Sequence, residues 1–162
     1  MIDFATVHDS AAIDCLLDRS FGPARRARTA YRLRVGSTPT LQLVARDDAA
    51  IVGSIQLWPL LLREASGRRH EMTLLGPLAV DLARRSAGLG SMLIAAALEQ
   101  VAGPVVLIGD EPFYGRFGFS ADATQRWAVP GPIDRARLLV RGAAGLPVVA
   151  SLEPAVDALV AA

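Results

Sequence analysis

The chain has 162 residues, of which 52% are hydrophobic and 20% are charged, and its formal net charge is +1. This size suits one domain with a buried core, and the composition excludes an intrinsically disordered chain. A net charge so close to zero gives no general electrostatic reason to bind nucleic acid or a membrane surface. We therefore predict a single globular domain over residues 1–162, with neither nucleic acid nor membrane as a partner.

The cysteine content predicts the compartment. With one cysteine, Cys15, no disulfide bond can form within this sequence, which favours a reducing compartment, the cytoplasm. Cys15 falls in an apolar helical pattern, so we expect a buried thiol without a catalytic role. The first residues carry acids and lack the basic region of a signal peptide. The most apolar run, Gly88 to Ile108, contains Gly103 and Pro104, and we expect a helix and a strand there rather than a membrane span.

The first third of the chain predicts one strand and two helices. Ile2 to Val7 alternates as a strand does, and Asp9 or Ser10 can cap the helix that follows. That helix should end near Phe21, because glycine and proline come next. Residues Ala24 to Val35 predict a second, arginine-rich helix. Its arginines could contact an acidic substrate or phosphate groups, but a solvated helix face is the favoured interpretation; they are Arg25, Arg26, Arg28, Arg32 and Arg34.

The middle of the chain predicts three strands. Leu41 to Ala45 and Ile51 to Leu62 should form a hairpin around the turn at Asp47 and Asp48. A third strand, Met72 to Val80, is interrupted by Gly76 and Pro77. Because proline cannot donate to a ladder, we expect a bulge or a splayed strand there. A splayed strand leaves backbone groups free to pair with another molecule.

The second half predicts a crossover and several closing elements. A helix over Gly88 to Val101 leads to Val105–Ile108, a continuously apolar strand that favours burial on both faces and a parallel partner. Asp110 can cap a short helix that has Pro112 in its first turn. The remaining predictions are strands at Trp127–Pro130, Arg137–Val140 and Val148–Ser151, and a helix beyond Pro154.

The loop between the third strand and the long helix is the first candidate site. It reads Arg85-Ser86-Ala87-Gly88-Leu89-Gly90. Glycine lets a backbone turn tightly and approach a ligand, and a helix that begins at such a loop points its N–H groups and positive dipole end toward it. A strand, loop and helix in this order favour a phosphate-bearing cofactor. The loop lacks both the lysine of a P-loop and the third glycine of the dinucleotide fingerprint, which excludes those two sites.

The loop and its context resemble the GNAT superfamily of acyl-CoA N-acyltransferases. Arg85, Gly88 and Gly90 match the family signature (Gln/Arg)-x-x-Gly-x-(Gly/Ala), although Ser86 replaces a common glycine. The preceding Leu78-Ala79-Val80-Asp81 matches the strand end Leu-x-Val-x-Pro, with Leu82 in place of the proline. The later run GDEPFYGRFGF, residues 109–119, resembles a segment of a bacterial GNAT subgroup described as predicted acetyltransferases.

The resemblance implies an α/β (α+β) single-domain fold whose mixed central sheet is splayed at the cofactor site and flanked by helices. It implies acetyl-CoA (coenzyme A) as cofactor and no metal. Transfer of the acetyl group would occur by direct attack of a primary amine of a small molecule or peptide. Backbone groups would hold the cofactor: the pantetheine at Leu78, Ala79 and Val80, and the pyrophosphate at Arg85, Ser86, Ala87, Gly88, Leu89, Gly90 and Ser91.

The resemblance also suggests catalytic residues. Tyr114 matches the general acid that protonates the departing thiolate, although it could instead belong to an aromatic cluster with Phe113, Phe117 and Phe119. Many family members carry a glutamate on the central strand as base, but Thr73-Leu74-Leu75 is uncharged here. Glu111 is our candidate for the base. Asp110, Glu71, His70 and a relay through water are the alternatives.

Two other functions compete with the transferase. The missing glutamate of the central strand favours a non-catalytic acyl-CoA-binding or sensor domain on the same fold. The arginine-rich second helix suggests an interaction module for nucleic acid, which the near-neutral net charge argues against. The oligomeric state stays open, with a homodimer as the default.

Overall fold

The computed structural model describes residues 1–156, which divide into two compact units. The first unit contains residues 1–25, 39–57 and 75–101, and the second contains residues 26–38, 58–74 and the described residues from 102 onward. The chain passes from one unit to the other within two of its longest strands. That the sequence forms a single domain stays a prediction.

The regular elements alternate between strands and short helices. The strands are β1 (Ile2–Phe4), β2 (Leu41–Asp47), β3 (Ala50–Arg63), β4 (Arg69–Val80), β5 (Val105–Ile108), β6 (Arg126–Ala128), β7 (Leu138–Arg141) and β8 (Val149–Pro154). The α-helices are α1 (Ser10–Phe21), α2 (Thr29–Arg32), α3 (Leu89–Leu98) and α4 (Glu111–Tyr114). All eight strands of residues 1–156 belong to one mixed sheet. No helix in this part of the chain is long and apolar enough to span a membrane.

In the first unit, β1 and β2 pair antiparallel, as do β2 and the first half of β3, which confirms the predicted hairpin. Val44 packs with Ile13, Leu16 and Leu17 of α1. Its neighbour Ala45 points to the other face of the sheet, because successive strand residues alternate. Helix α3 packs on that other face, so α1 and α3 flank the sheet of this unit.

In the second unit, β4 and β5 pair in parallel, with Thr73 facing Val105 and Leu74 facing Val106. This confirms the parallel partner predicted for the apolar strand. Strand β7 pairs antiparallel with β5, while β8 pairs antiparallel with β3 and parallel with β6. The core surrounds the fully buried Trp127, whose indole N–H donates to the carbonyl of Pro147 at 2.9 Å.

The prediction that Cys15 is buried is wrong, because this residue is exposed. Helix α1 buries Ile13, Leu16 and Leu17. Cys15 lies two residues after Ile13, and residues two apart in a helix point in nearly opposite directions. An apolar composition around a position therefore did not decide which face that position occupies.

The predicted second helix is wrong in extent. Residues 23–27 form a 3₁₀ turn, Arg28 is extended, and only α2 is α-helical. The turn is explained by Arg25, which is buried and donates to Asp18 at 2.8 Å and to Asp14 at 3.2 Å. The favoured interpretation, a uniformly solvated arginine face, is thus wrong for this residue.

Several element ends also differ from expectation. Strand β1 stops at Phe4, because Val7–Asp9 forms a 3₁₀ turn before α1, and α3 runs from Leu89 to Leu98 rather than from Gly88 to Val101. Strand β4 continues through Gly76 and Pro77, whose peptide bond is cis. The helix predicted beyond Pro154 lies largely outside the described residues.

A buried carboxylate fixes the start of α1 in the first unit. Asp9 accepts two hydrogen bonds from the guanidinium of Arg46, at 3.1 and 2.8 Å. Its second oxygen also accepts the backbone N–H and the hydroxyl of Thr6, at 2.7 and 3.0 Å. The bond from Arg46, followed by the backbone bond from Thr6, holds the pKa of Asp9 well below its usual range.

This lowered pKa predicts an acid-dependent loss of stability. The native state favours the charged carboxylate, so the stabilisation is complete above the unfolded pKa, about 3.9, and is lost as the pH falls toward the lower folded value. We expect Asp9→Asn to lower the melting temperature at pH 7 and to flatten its decline in acid. The exposed hairpin variant Asp48→Asn is the control, and equal pH profiles for both variants would contradict the assignment.

Candidate active site

The loop before α3 is an exposed turn with a defined beginning. Residues Leu82–Ala87 form a 3₁₀ turn whose first N–H groups are capped by Asp81, since its carboxylate accepts the Ala83 N–H at 3.2 Å. The backbone N–H of Asp81 in turn donates to the carbonyl of Val52 at 2.8 Å. Residues 82–88 are all exposed to solvent. The loop is therefore anchored at the end of β4 and open to a ligand beyond it.

Gly88 turns the chain from this loop into the helix. Its φ of +73° and ψ of 11° lie in the left-handed region, which a residue with a Cβ seldom adopts. Helix α3 begins at the next residue, and the first N–H groups of an α-helix have no acceptor within the helix. The predicted pyrophosphate residues thus form one consecutive stretch at a helix N-terminus that can accept an anion.

The two arginines of the loop are held by the protein itself. Arg84 forms an ion pair with Asp47, and Nε of Arg85 donates to the carbonyl of Val80 at 3.4 Å. These contacts tie the loop to the ends of β2 and β4. They direct part of each guanidinium toward the protein.

The position of α3 depends on Gly53 in β3. A Cβ on this glycine would lie 2.9 Å from Cδ1 of Leu93, 3.3 Å from Cβ of Ala45 and 3.4 Å from Cδ2 of Leu89. The helix therefore lies directly on the backbone of β3. Leu89 is also the first residue of α3, so this contact fixes the N-terminus that faces the loop. We did not single out Gly53 from the sequence, although a glycine inside an apolar strand is the signal for such an approach.

The predicted pantetheine residues are the last three residues of β4, next to the loop that leads to α3. Ala79 is buried against α1, whereas Leu78 and Val80 point toward α3. A Cβ on Gly90 would lie at 3.8 Å from Val80 and 3.9 Å from Leu78, which is ordinary contact. The structure thus brings the strand end and the first turn of α3 together within the first unit.

Tyr114 lies in the second unit, at the end of α4. Its N–H donates to the carbonyl of Asp110 at 3.0 Å, and Pro112 lies in the first turn as predicted. The phenol ring is half-buried and meets Phe113 and Phe119 edge to face, with ring centres 4.9 and 6.2 Å apart. Tyr114 therefore belongs to an aromatic cluster.

The environment of Tyr114 keeps its hydroxyl protonated. Burial raises the pKa of the phenol, and the charge of Asp110 raises it further, while Arg137 acts in the opposite direction. Arg137 and Asp110 form an ion pair at 3.1 Å. Within residues 1–156 the Tyr114 hydroxyl has no hydrogen-bond partner. At neutral pH this group can donate a proton to a ligand.

The candidate bases each have a different setting. The carboxylate of Glu111 accepts the N–H of Ala121 at 3.2 Å, and Asp110 pairs with Arg137. His70 lies 2.8 Å from a carboxylate oxygen of Glu64, and Glu71 is exposed on β4. The described residues contain no group of three or more His, Cys, Asp or Glu side chains placed to hold a metal ion.

Comparison with known proteins decides the family. The model of the acetyltransferase (GNAT) family matches residues 11–119, which include both the loop and Tyr114. The chain belongs to the GNAT family. As a GNAT protein it is an N-acetyltransferase, and its mixed sheet with flanking helices confirms the predicted fold class.

Similar proteins come from bacteria. The uncharacterized N-acetyltransferase YhbS of Escherichia coli K12 is 34% identical over 120 residues, which are 71% of this chain and 70% of YhbS. A structure of E. coli YhbS in complex with CoA has a TM-score of 0.75 and 28% identity over 95% of this chain and 88% of YhbS. A GNAT acetyltransferase of Brucella melitensis in complex with acetyl-CoA has a TM-score of 0.58 and 31% identity, covering 74% of this chain and 81% of that one. The cofactor that the family resemblance implies is thus confirmed, since these two relatives hold CoA and acetyl-CoA.

The contact at Gly53 predicts a loss of stability on substitution. Gly53→Val places methyl groups against Leu93 and Leu89, so we expect the free energy of unfolding in urea to fall by about 1–3 kcal/mol, the usual cost of overpacking. Ala50→Val is the matched control, because Ala50 is exposed at the start of the same strand. A Gly53→Val protein as stable as this control would show that α3 does not rest on β3 at this point.

Proposed function

We propose that this protein transfers the acetyl group of acetyl-CoA to a primary amine of a small molecule or peptide. The observation that carries the proposal is the exposed loop that ends at Gly88, at the N-terminus of a helix held against β3. Membership of the GNAT family and the CoA and acetyl-CoA complexes of two relatives support the choice of cofactor.

Main-chain groups would bind the cofactor. Within Arg85 to Ser91, the N–H groups at the start of α3 donate to the pyrophosphate, whose charge the helix dipole stabilises. Strand β4 runs beyond Leu74, the last residue of its parallel register with β5, to Val80. We propose that the backbone of Leu78, Ala79 and Val80 pairs there with the amides of pantetheine, as an added strand would.

The chemistry would proceed by direct attack. The acceptor amine adds to the thioester carbonyl, and collapse of the tetrahedral intermediate breaks the carbon–sulfur bond. The Tyr114 hydroxyl, which its surroundings keep protonated, gives its proton to the departing thiolate of coenzyme A, and the phenolate takes up the extra proton that the attacking nitrogen still carries. Glu111 is our candidate for the base that takes the proton of the ammonium acceptor. Its contact with the Ala121 N–H holds its carboxylate at the start of α4.

Cofactor binding gives the first test. A ligand that binds only the native state at 100 times its Kd stabilises that state by about 2.7 kcal/mol. For a domain of this size we expect acetyl-CoA to raise the melting temperature by about 5–10 °C. Gly90→Glu should abolish the shift, because its charge would repel the pyrophosphate.

Gly90→Gln is the matched control for that variant, since it has the same shape without the charge. It should keep more of the shift than Gly90→Glu does. No shift for the wild-type protein at saturating acetyl-CoA would remove the proposal. Release of free thiol from acetyl-CoA across a panel of amines would then identify the acceptor.

Tyr114→Phe tests the general acid. The variant keeps the ring and loses the proton, so we expect turnover to fall by about 100-fold or more while the thermal shift with acetyl-CoA is retained. Because the pKa of Tyr114 is raised, this group should cause no loss of activity between pH 7 and about 10. Unchanged turnover of Tyr114→Phe would take this residue out of the mechanism.

A further inference from the structure

The Tyr114 ring lies directly on the backbone of Gly109, the residue after β5. A Cβ on Gly109 would lie 2.9 Å from Cδ2 of Tyr114, closer still to Cε2, and 3.1 Å from Cδ1 of Leu107. Cβ atoms in proteins do not tolerate such distances. Gly109 has no left-handed φ, so its backbone conformation would accept alanine. The ring of Tyr114, rather than the backbone, therefore requires a glycine here.

Neither partner of this contact can move freely. The N–H of Gly109 donates to the carbonyl of Arg137 at 2.9 Å, which extends the ladder in which Ile108 faces Leu138. On the other side, Phe113 and Phe119 meet the Tyr114 ring edge to face. An added methyl group at Gly109 must displace the ring from its place in this cluster.

We infer that Gly109 is a positioning residue for catalysis: its missing side chain lets the Tyr114 ring lie on the end of β5, which sets the place of the hydroxyl. The inference rests on the proposed function, in which that hydroxyl protonates the thiolate of coenzyme A. A displacement of about 1 Å at a reacting group can cost up to about 100-fold in rate. Neither Gly109 nor Tyr114 is among the residues proposed to bind the pyrophosphate and the pantetheine, so the inference predicts an effect on turnover and not on cofactor binding.

The kinetic test is a double-mutant cycle between Gly109 and Tyr114. Gly109→Ala should lower kcat by about 10- to 100-fold while the thermal shift with acetyl-CoA is kept. In a Tyr114→Phe background the same substitution should change kcat by less than about twofold, because no hydroxyl remains to be misplaced. Gly115→Ala is the control, since its Cβ would meet only Cγ of Glu111 at 3.9 Å. This control should retain wild-type turnover.

The pKa of the Tyr114 phenol provides a second test. The chain has two tyrosines, so ultraviolet titration with and without Tyr114→Phe assigns the signal of Tyr114. Burial raises the pKa of this phenol, and Gly109→Ala should bring its pKa back toward the ordinary value as the ring moves outward. An unchanged pKa would show that the ring has not moved and would overturn the inference.

The outcomes separate the inference from the proposed function. If Tyr114→Phe alone leaves turnover unchanged, the proposed role of Tyr114 is wrong. If Tyr114→Phe slows turnover and Gly109→Ala leaves it unchanged, only the inference is wrong. The same holds if Gly109→Ala slows turnover equally in the wild-type and the Tyr114→Phe backgrounds. Should Gly109→Ala fail to fold, Gly109→Ala/Tyr114→Ala must fold again, because the ring that obstructs the methyl group is gone. A double variant that stays unfolded would overturn the inference.

Discussion

The candidate cofactor site depends on how closely α3 approaches β3. At Gly53 the distance between helix and strand leaves no room for a side chain, and Leu93 and Leu89 occupy that space. The loop itself is exposed and has no core of its own. Its N–H groups can point in a fixed direction only because the helix that follows them is packed. Hydrogen-bond donors that are already ordered can bind an anion without a further loss of conformational entropy.

Each unit contains a glycine on whose backbone another part of the chain packs closely. Gly53 admits a helix onto one strand, and Gly109 admits the Tyr114 ring onto the end of another. In each case the strand lacks a side chain at the point where another part of the chain lies on its backbone. The remaining contacts then hold that group: the α3 packing in the first unit, and Phe113 with Phe119 in the second.

The arginines of this chain serve its structure. Arg25, Arg46, Arg84 and Arg137 each pair with an aspartate of the same unit. Arg46 holds the start of α1, Arg25 holds its second half, and Arg84 ties the loop before α3 to β2. The arginine-rich composition is therefore explained in part by ion pairs within the protein.

The sequence by itself determined what depends on neighbouring residues: the hairpin, the apolar strand Val105–Ile108, the presence of a helix after the loop and the motif that leads to the GNAT family. These features follow from periodicity, turn residues and consecutive backbone groups. Only the tertiary structure decided that Cys15 faces solvent, that Arg25 is buried, and that Gly53 and Gly109 lie under a helix and a ring. Each of these depends on what packs against a position from a distant part of the chain, which no local pattern records. The sequence of the loop thus predicts a phosphate-bearing cofactor. The contacts that hold the loop and Tyr114 in place depend on tertiary packing and are seen only in the folded structure.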